Sequence, residues 1–155
     1  MSAEIEARIK DLGITLPQAA APAANYVPYV ISGSHLYISG QLPMDSGKIG
    51  VTGHLGKDVD VATGQRAAEL CAINILAQAK SALGGDLGRI GRIVKINGFV
   101  ASVPEFVEQH LVINGASNLL VKILGDAGVH ARAAVGMASL PFNAAVEIDA
   151  VIEIA

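Results

Sequence analysis

Apolar residues first recur at helical spacing, with Ile5, Ile9 and Leu12 at i, i+4 and i+7. That predicts a short amphipathic helix over residues 3–12, with Ser2 as its N-cap and Gly13 as its stop. Leu16 to Ala24 holds Pro17 and Pro22 among alanines and supports no regular ladder, so it reads as an extended connector within one domain. From Tyr26 the pattern turns to β: Tyr29-Val30-Ile31 and His35–Ser39 flank Gly33-Ser34, the signature of a hairpin. Residues 40–58, broken by Pro43 and by glycines at 40, 47, 50, 53 and 56, form a long loop that is functional or flexible. Thr63 to Leu83 is the strongest helix signal, rich in alanine, free of proline and followed by Gly84-Gly85. Ile90 to Val103 reads as a central strand that Pro104 ends, and Glu105 to Gly125 as a second long helix interrupted near Asn114-Gly115. Arg132–Leu140 and Ala145–Ile154 are two further strands, joined by Pro141-Phe142-Asn143. The order α, β, β, α, β, α, β, β predicts one α+β domain over 1–155, in which 1–21 are the terminal helix and connector and helices cover one sheet face. The other face has to be buried, and the simplest cover is another subunit.

Composition sharpens that picture. Hydrophobic residues make up 52% against 16% charged, and the mean hydropathy is +0.48, which excludes disorder and assigns part of the apolar surplus to subunit contacts. Aromatics are only 4% and Trp is absent, the net charge is −3, and the Lys and Arg residues are scattered singly. A nucleic-acid partner, which needs a basic face and stacking platforms, is therefore not expected. Cys71 stands alone, which excludes an internal disulfide and fits a reducing compartment. The acidic first residues do not read as a signal peptide, and Ala19 to Ile31 is too short and too interrupted to span a membrane. The expected address is the cytoplasm, with no membrane partner.

Chemistry could sit in three places. In the last strand, the period of two puts Val146, Ile148, Ala150, Ile152 and Ile154 on one face and Glu147, Asp149, Val151 and Glu153 on the other. Three carboxylates thus share a face, which is either solvated or supplies an acid, base or water-holder to a subunit cleft. Arg132 is the lone cation in a strand of Ala, Val, Gly and Met, so it must reach solvent, find a partner, or capture a carboxylate through its planar fork. Ser39-Gly40 sits at a sharp strand exit, where main-chain N–H groups can hold an anion. His35, His54, His110 and His130 fall in four segments without metal-ligand spacing, so no metal is expected. Cys71 reads as a small core residue, and no P-loop, G-x-S-x-G or G-x-G-x-x-G pattern occurs.

In order and spacing, Tyr26, Gly33, Leu36-Tyr-Ile-Ser-Gly-Gln41-x-Pro43, Val94-Lys95, Phe99-Val100, Asn114, Ala131-Arg132, Leu140-Pro141 and Val146-Glu-Ile-Asp149 resemble the YjgF/RidA family, also called the liver perchloric-acid-soluble family. The resemblance covers residues 22–155, and the N-terminal helix resembles a longer subfamily. It implies a chorismate-mutase-like α+β subunit with a mixed sheet, assembled as a homotrimer with clefts between subunits. It further implies hydrolytic deamination of reactive enamines and imines of the 2-aminoacrylate type to 2-keto acids and ammonia, without a cofactor. By position, Arg132 would clamp the substrate carboxylate with help from the Gly40 N–H, Glu147 would orient water or move protons, and Tyr26, Ser39 and Asn114 would line the cleft. The alternative is a non-enzymatic trimer that uses the same cleft to bind a carboxylate ligand. Endoribonuclease activity, also attributed to some members, has no basic patch, aromatic platform or His pair to support it here. One departure is clear: Ala133 and Ala134 stand where many members carry Ser and Cys, so thiol chemistry at that point is excluded. A plain hairpin of the last two strands would set Arg132 opposite Val151, on the order of 13 Å from Glu147. Either these strands are not neighbours, a bulge shifts the register, or the Arg of one subunit meets the Glu of another.

Overall fold

In the computed structural model, which describes residues 1–19, 21 and 24–155, helix α1 runs Ser2–Asp11 and buries Ile5 and Ile9. Ser2 lies inside this helix; Met1 takes the cap position, and no side chain bonds there. Two backbone hydrogen bonds close its far end, Gly13 N–H to Lys10 O at 2.9 Å and Ile14 N–H to Ile9 O at 3.1 Å, a closure that folds the following apolar residue back onto the helix. The connector reading of 16–24 falls partly on Ala20, Pro22 and Ala23, which lie outside the described residues; its remaining positions carry no helix or strand.

Strands β1 (Tyr29–Ser32) and β2 (His35–Gln41) pair antiparallel with Ser32 opposite His35, the hairpin expected from the pattern. The glycine-rich loop contains a small second hairpin, β3 (Met44–Asp45) with β4 (Lys48–Ile49). Two-residue strands are too short to leave an alternation signal. Helix α2 (Val61–Ala82) begins two residues earlier than predicted, because Asp60 caps it, accepting the Thr63 N–H at 2.8 Å. Its fully buried stripe of Ala67, Ala68, Cys71, Ala72, Ile75, Leu76 and Ala79 is mostly small, which seats the helix close to the sheet.

Strand β5 (Ile90–Ala101) leads to helix α3 (Gln109–Leu124), which is shorter at both ends than predicted and passes uninterrupted through Asn114-Gly115. Gly115 is a contact point, not a break. A Cβ there would lie 2.3 Å from Gln65 O on α2, and Gln65 Nε2 donates across the same crossing to Leu111 O at 2.9 Å. A glycine that reads as a helix breaker in sequence is here what lets two helices touch.

Strands β6 (Ala131–Met137) and β7 (Val146–Ile154) complete a five-stranded sheet of order β1-β2-β7-β5-β6. The last two strands do not form a hairpin. Strand β7 pairs antiparallel with β2 and β5, whereas β6 pairs parallel to β5 with α3 as the connection, because parallel neighbours need a crossover. The intervening turn has Phe142 and Asn143 at φ of 58° and 59°, and Ala144 bridges to Thr52 before β7 enters the sheet. The result is a mixed sheet in an α+β fold, with Leu36, Ile38, Ile93, Ile96, Val100, Ile148 and Ile152 facing the helices. The opposite face leaves Val30, Tyr37 and Val135 exposed. Among the described residues no helix is long and apolar enough to cross a membrane.

Candidate functional site

The three carboxylates of β7 share the helix-free face but not the same surroundings. Glu153 is exposed at the far end, opposite His35 on β2 and Arg92 on β5. Asp149 lies opposite Asn97, whose Nδ2 donates to Asp149 Oδ1 at 2.8 Å. Glu147 is half-buried, and its carboxyl holds its proton more tightly than an ordinary glutamate, first because burial penalises the charged form and second because the Asp149 charge is close. A cross-strand partner therefore occupies Asp149, and the proton-adjustable carboxyl is Glu147.

Gly40 explains where that carboxyl rests. The β2–β7 register shifts between Ile38 and Gln41, a bulge that takes Ser39-Gly40 out of the ladder. A Cβ on Gly40 would sit 2.8 Å from Glu147 Oε1 and 2.9 Å from its Cδ, so the Glu147 carboxylate occupies the space that glycine leaves. Ser39 ties in the preceding segment, its Oγ donating to Val27 O at 3.0 Å and its N–H to Pro28 O at 2.9 Å. Tyr26, next along that segment, is 57% exposed. Tyr26, Ser39, Gly40 and Glu147 thus belong to one neighbourhood at the β2–β7 bulge.

Arg132 and Asn114 belong to another. Arg132 is level with Ile96 on β5 and Ala150 on β7, both buried under the helices, so it projects from the helix-covered face at the sheet edge. Its Nη1 donates to Ser117 Oγ at 3.1 Å and its Nη2 to His110 O at 3.2 Å, both on α3. Asn114 falls between His110 and Ser117 at helical spacing, on the same face of α3. Both partners of Arg132 are neutral. The described ion pairs are Arg66–Glu69 and Lys80–Glu6, and among the described residues no carboxylate pairs with Arg132. Its charge stays available to an anion.

Within one chain, Arg132 and Glu147 cannot hold the same small molecule. They project from opposite faces, with β5 between their strands, and their β5 neighbours are Ile96 and Phe99. That is about 10 Å along the strands and about 10 Å across them.

Other candidates resolve plainly. Cys71 is buried, and burial first and the Glu147 charge second push its thiol up, so it is inert core. Among the described residues no group of three or more His, Cys, Asp or Glu is placed to hold a metal ion. A cavity of about 530 Å³ lies at the end of β6, with His54, Lys57, Ser102 and Gln109 in its wall. Most of its polar groups serve the fold: His54 Nε2 donates to Ala138 O at 2.7 Å, Ser102 Oγ to Val100 O at 3.2 Å, and Gln109 Nε2 to Phe106 O at 2.7 Å. Ser117 and His130, which the sequence reading did not assign to the site, stand directly behind Arg132. The available signal was the spacing His130-x-Arg132, which puts both residues on one side of the chain where β6 begins.

Comparison with known proteins follows the same outline. The family model described as "YjgF/chorismate mutase-like, putative endoribonuclease" matches residues 6–154. Protein TCP17 of Trypanosoma cruzi is 51% identical over 154 residues, covering 99% of this chain and 96% of that protein. The crystal structure of Atu1372 from Agrobacterium tumefaciens, a protein of unknown function, is 71% identical with a TM-score of 0.95, covering 99% of this chain and 94% of that one. The structure of Escherichia coli TdcF with bound serine is 26% identical with a TM-score of 0.64, covering 89% of this chain and 94% of that one.

Proposed function

The chain belongs to the YjgF/chorismate-mutase-like family, and from that premise we propose that it is a homotrimeric hydrolase of reactive 2-imino and 2-enamino acids. The products are the 2-keto acid and ammonia, and no cofactor takes part. The cleft joins Arg132 and Asn114 of one subunit to Glu147, Gly40, Ser39 and Tyr26 of the next. Two observations support assembly: the exposed apolar residues on the helix-free face, and the opposite projection of Arg132 and Glu147 within a chain. The serine bound to TdcF, a small molecule with a carboxylate, fits the same class of ligand.

The chemistry asks little of the protein. The imine carbon is already electrophilic, so water adds to it directly once positioned and relieved of a proton. Arg132 takes the substrate carboxylate through its charge-assisted N–H donors and fixes where the imine carbon lies. Glu147 accepts a proton from the attacking water and passes it to the imine nitrogen, giving the carbinolamine. It then moves the hydroxyl proton to that nitrogen as the C–N bond breaks, giving C=O and NH₃ from C=NH and H₂O. An enamine first loses an N–H proton to the ionised Glu147, which returns it to the terminal carbon and so yields the imine. The observation that carries this reading is the Glu147 carboxyl, half-buried and with raised proton affinity, because a group that gives and takes protons works best near the operating pH. A site built only to bind a carboxylate gains nothing from a second carboxylate beside it. The test is turnover of 2-aminoacrylate generated in situ, with Arg132→Ala as control. Hydrolysis no faster than in buffer, or an Arg132→Ala rate equal to wild type, would sink the proposal.

A further inference from the structure

Behind Arg132 runs a chain of hydrogen bonds whose directions are fixed at one end. His130 Nδ1 lies 2.6 Å from Gly128 O. A carbonyl oxygen only accepts, so Nδ1 carries the proton. In the neutral ring Nε2 is then an acceptor, and Ser117 Oγ lies 2.9 Å from it, so the serine hydroxyl donates to the imidazole. That leaves the serine lone pairs toward Arg132, whose Nη1 donates at 3.1 Å. Every donor points the same way, from Arg132 through Ser117 and His130 to Gly128, an order in which each bond polarises the next. The terminal carbonyl is itself well seated. Gly128 is buried in the turn that follows α3, where a Cβ would lie 2.4 Å from Leu120 O.

We propose that Ser117 and His130 are positioning residues for Arg132, orienting its guanidinium toward the carboxylate of the ligand without touching that ligand. The inference rests on the function proposed above and adds to it. Of the five N–H donors of an arginine, Ser117 and the His110 carbonyl take one each, leaving three for a ligand. Because these partners are neutral, they fix the fork in space and leave its charge for the substrate. A carboxylate in the place of Ser117 would orient the group equally well and cancel that charge. The device therefore favours planar, anionic ligands over neutral carbonyl compounds of the same size.

The experiment measures binding of 2-oxobutanoate and of its neutral amide by titration calorimetry, in wild type and in Ser117→Ala, Ser117→Thr, His130→Ala and Arg132→Ala. The expected result is a loss of about 10-fold in 2-oxobutanoate affinity for Ser117→Ala, recovered to within about 3-fold by Ser117→Thr, which keeps the hydroxyl. His130→Ala loses about 3-fold or more, and amide binding moves little in any of these variants. Ser117→Ala added to Arg132→Ala has no further effect, because the serine acts through the arginine. Wild-type affinity in Ser117→Ala, with the loss intact in Arg132→Ala, overturns this inference alone. An equal loss for acid and amide also overturns it, since that marks general damage to the fold. If Arg132→Ala itself binds the keto acid normally, the proposed function falls and this inference falls with it.

Discussion

Replacing Gly40 by alanine tests the placement of Glu147 without altering any charged group. The added Cβ would lie 2.8 Å from Glu147 Oε1 and 2.9 Å from its Cδ, where non-bonded carbon contacts settle near 3.5 Å, so the carboxylate must retreat by roughly 0.5 Å or more. The atoms in the way are the free end of a flexible side chain, and Gly40 is exposed and outside the left-handed region, so the fold itself is not strained. A misplacement of 1 Å can cost about 100-fold in rate, so half of that predicts a loss of about 10-fold in kcat. The methyl group also removes water from the carboxyl, which pushes its proton affinity further up and moves the acid limb of the rate profile toward neutral pH. The assay is steady-state hydrolysis of 2-aminoacrylate against pH, with thermal melting of the same samples. Glu147→Gln gives the decisive background: there Gly40→Ala should change the residual rate very little, because both substitutions act on one group. A Gly40→Ala enzyme with wild-type kcat and an unmoved acid limb would show that the Glu147 carboxylate is not the working group.

Four further outcomes follow from the structure. Arg132→Lys keeps the charge but loses the fork, and 2-oxobutanoate affinity measured by calorimetry should fall about 10-fold or more; equal affinity would count against carboxylate capture. In the proposed hydrolysis Glu147 works in its ionised form, and its proton affinity is raised, so activity should fall on acidification at a pH above the ordinary glutamate range. Asp149→Asn removes a neighbouring negative charge and should move that limb to lower pH, and movement the other way would refute the coupling. The same raised affinity makes Glu147 cost stability as pH rises through the glutamate range, so Glu147→Gln should gain melting temperature relative to wild type at neutral pH, a gain absent at pH values below that range. Gly115→Val should force α2 and α3 apart, costing on the order of 1–3 kcal/mol, with a fall in melting temperature that calorimetry would register.

Strong local signals carried most of the fold from the sequence. The alanine-rich stripe of α2, the β1–β2 hairpin and the in-out alternation of β7 all appear where the pattern puts them. What was hidden depended on contacts between elements. Gly115 reads as a helix breaker until Gln65 is seen across from it. The insertion of β7 between β2 and β5 is invisible from a short connection that looks like a hairpin turn. The same holds for the candidate site. Spacing put Glu147, Asp149 and Glu153 on one face without ranking them; Asn97 opposite Asp149 and the bulge at Gly40 separate them. Arg132 stood out as an isolated cation, but Ser117 lies 15 residues earlier on a different element, and no local pattern links the two.

The central claim is that each site takes Arg132 from one subunit and Glu147 from its neighbour, and mixing two inactive variants tests it most directly. Under the proposed trimeric assembly, Arg132→Ala and Glu147→Gln proteins, unfolded together in equal amounts and refolded, should combine at random into trimers. Each mixed trimer then contains one interface where an intact Arg132 faces an intact Glu147. Three-quarters of the trimers are mixed and one site in three is restored, so the mixture should recover about one quarter of the wild-type rate of 2-aminoacrylate hydrolysis. A mixture no more active than its two components, from subunits shown to have exchanged, would contradict the shared site.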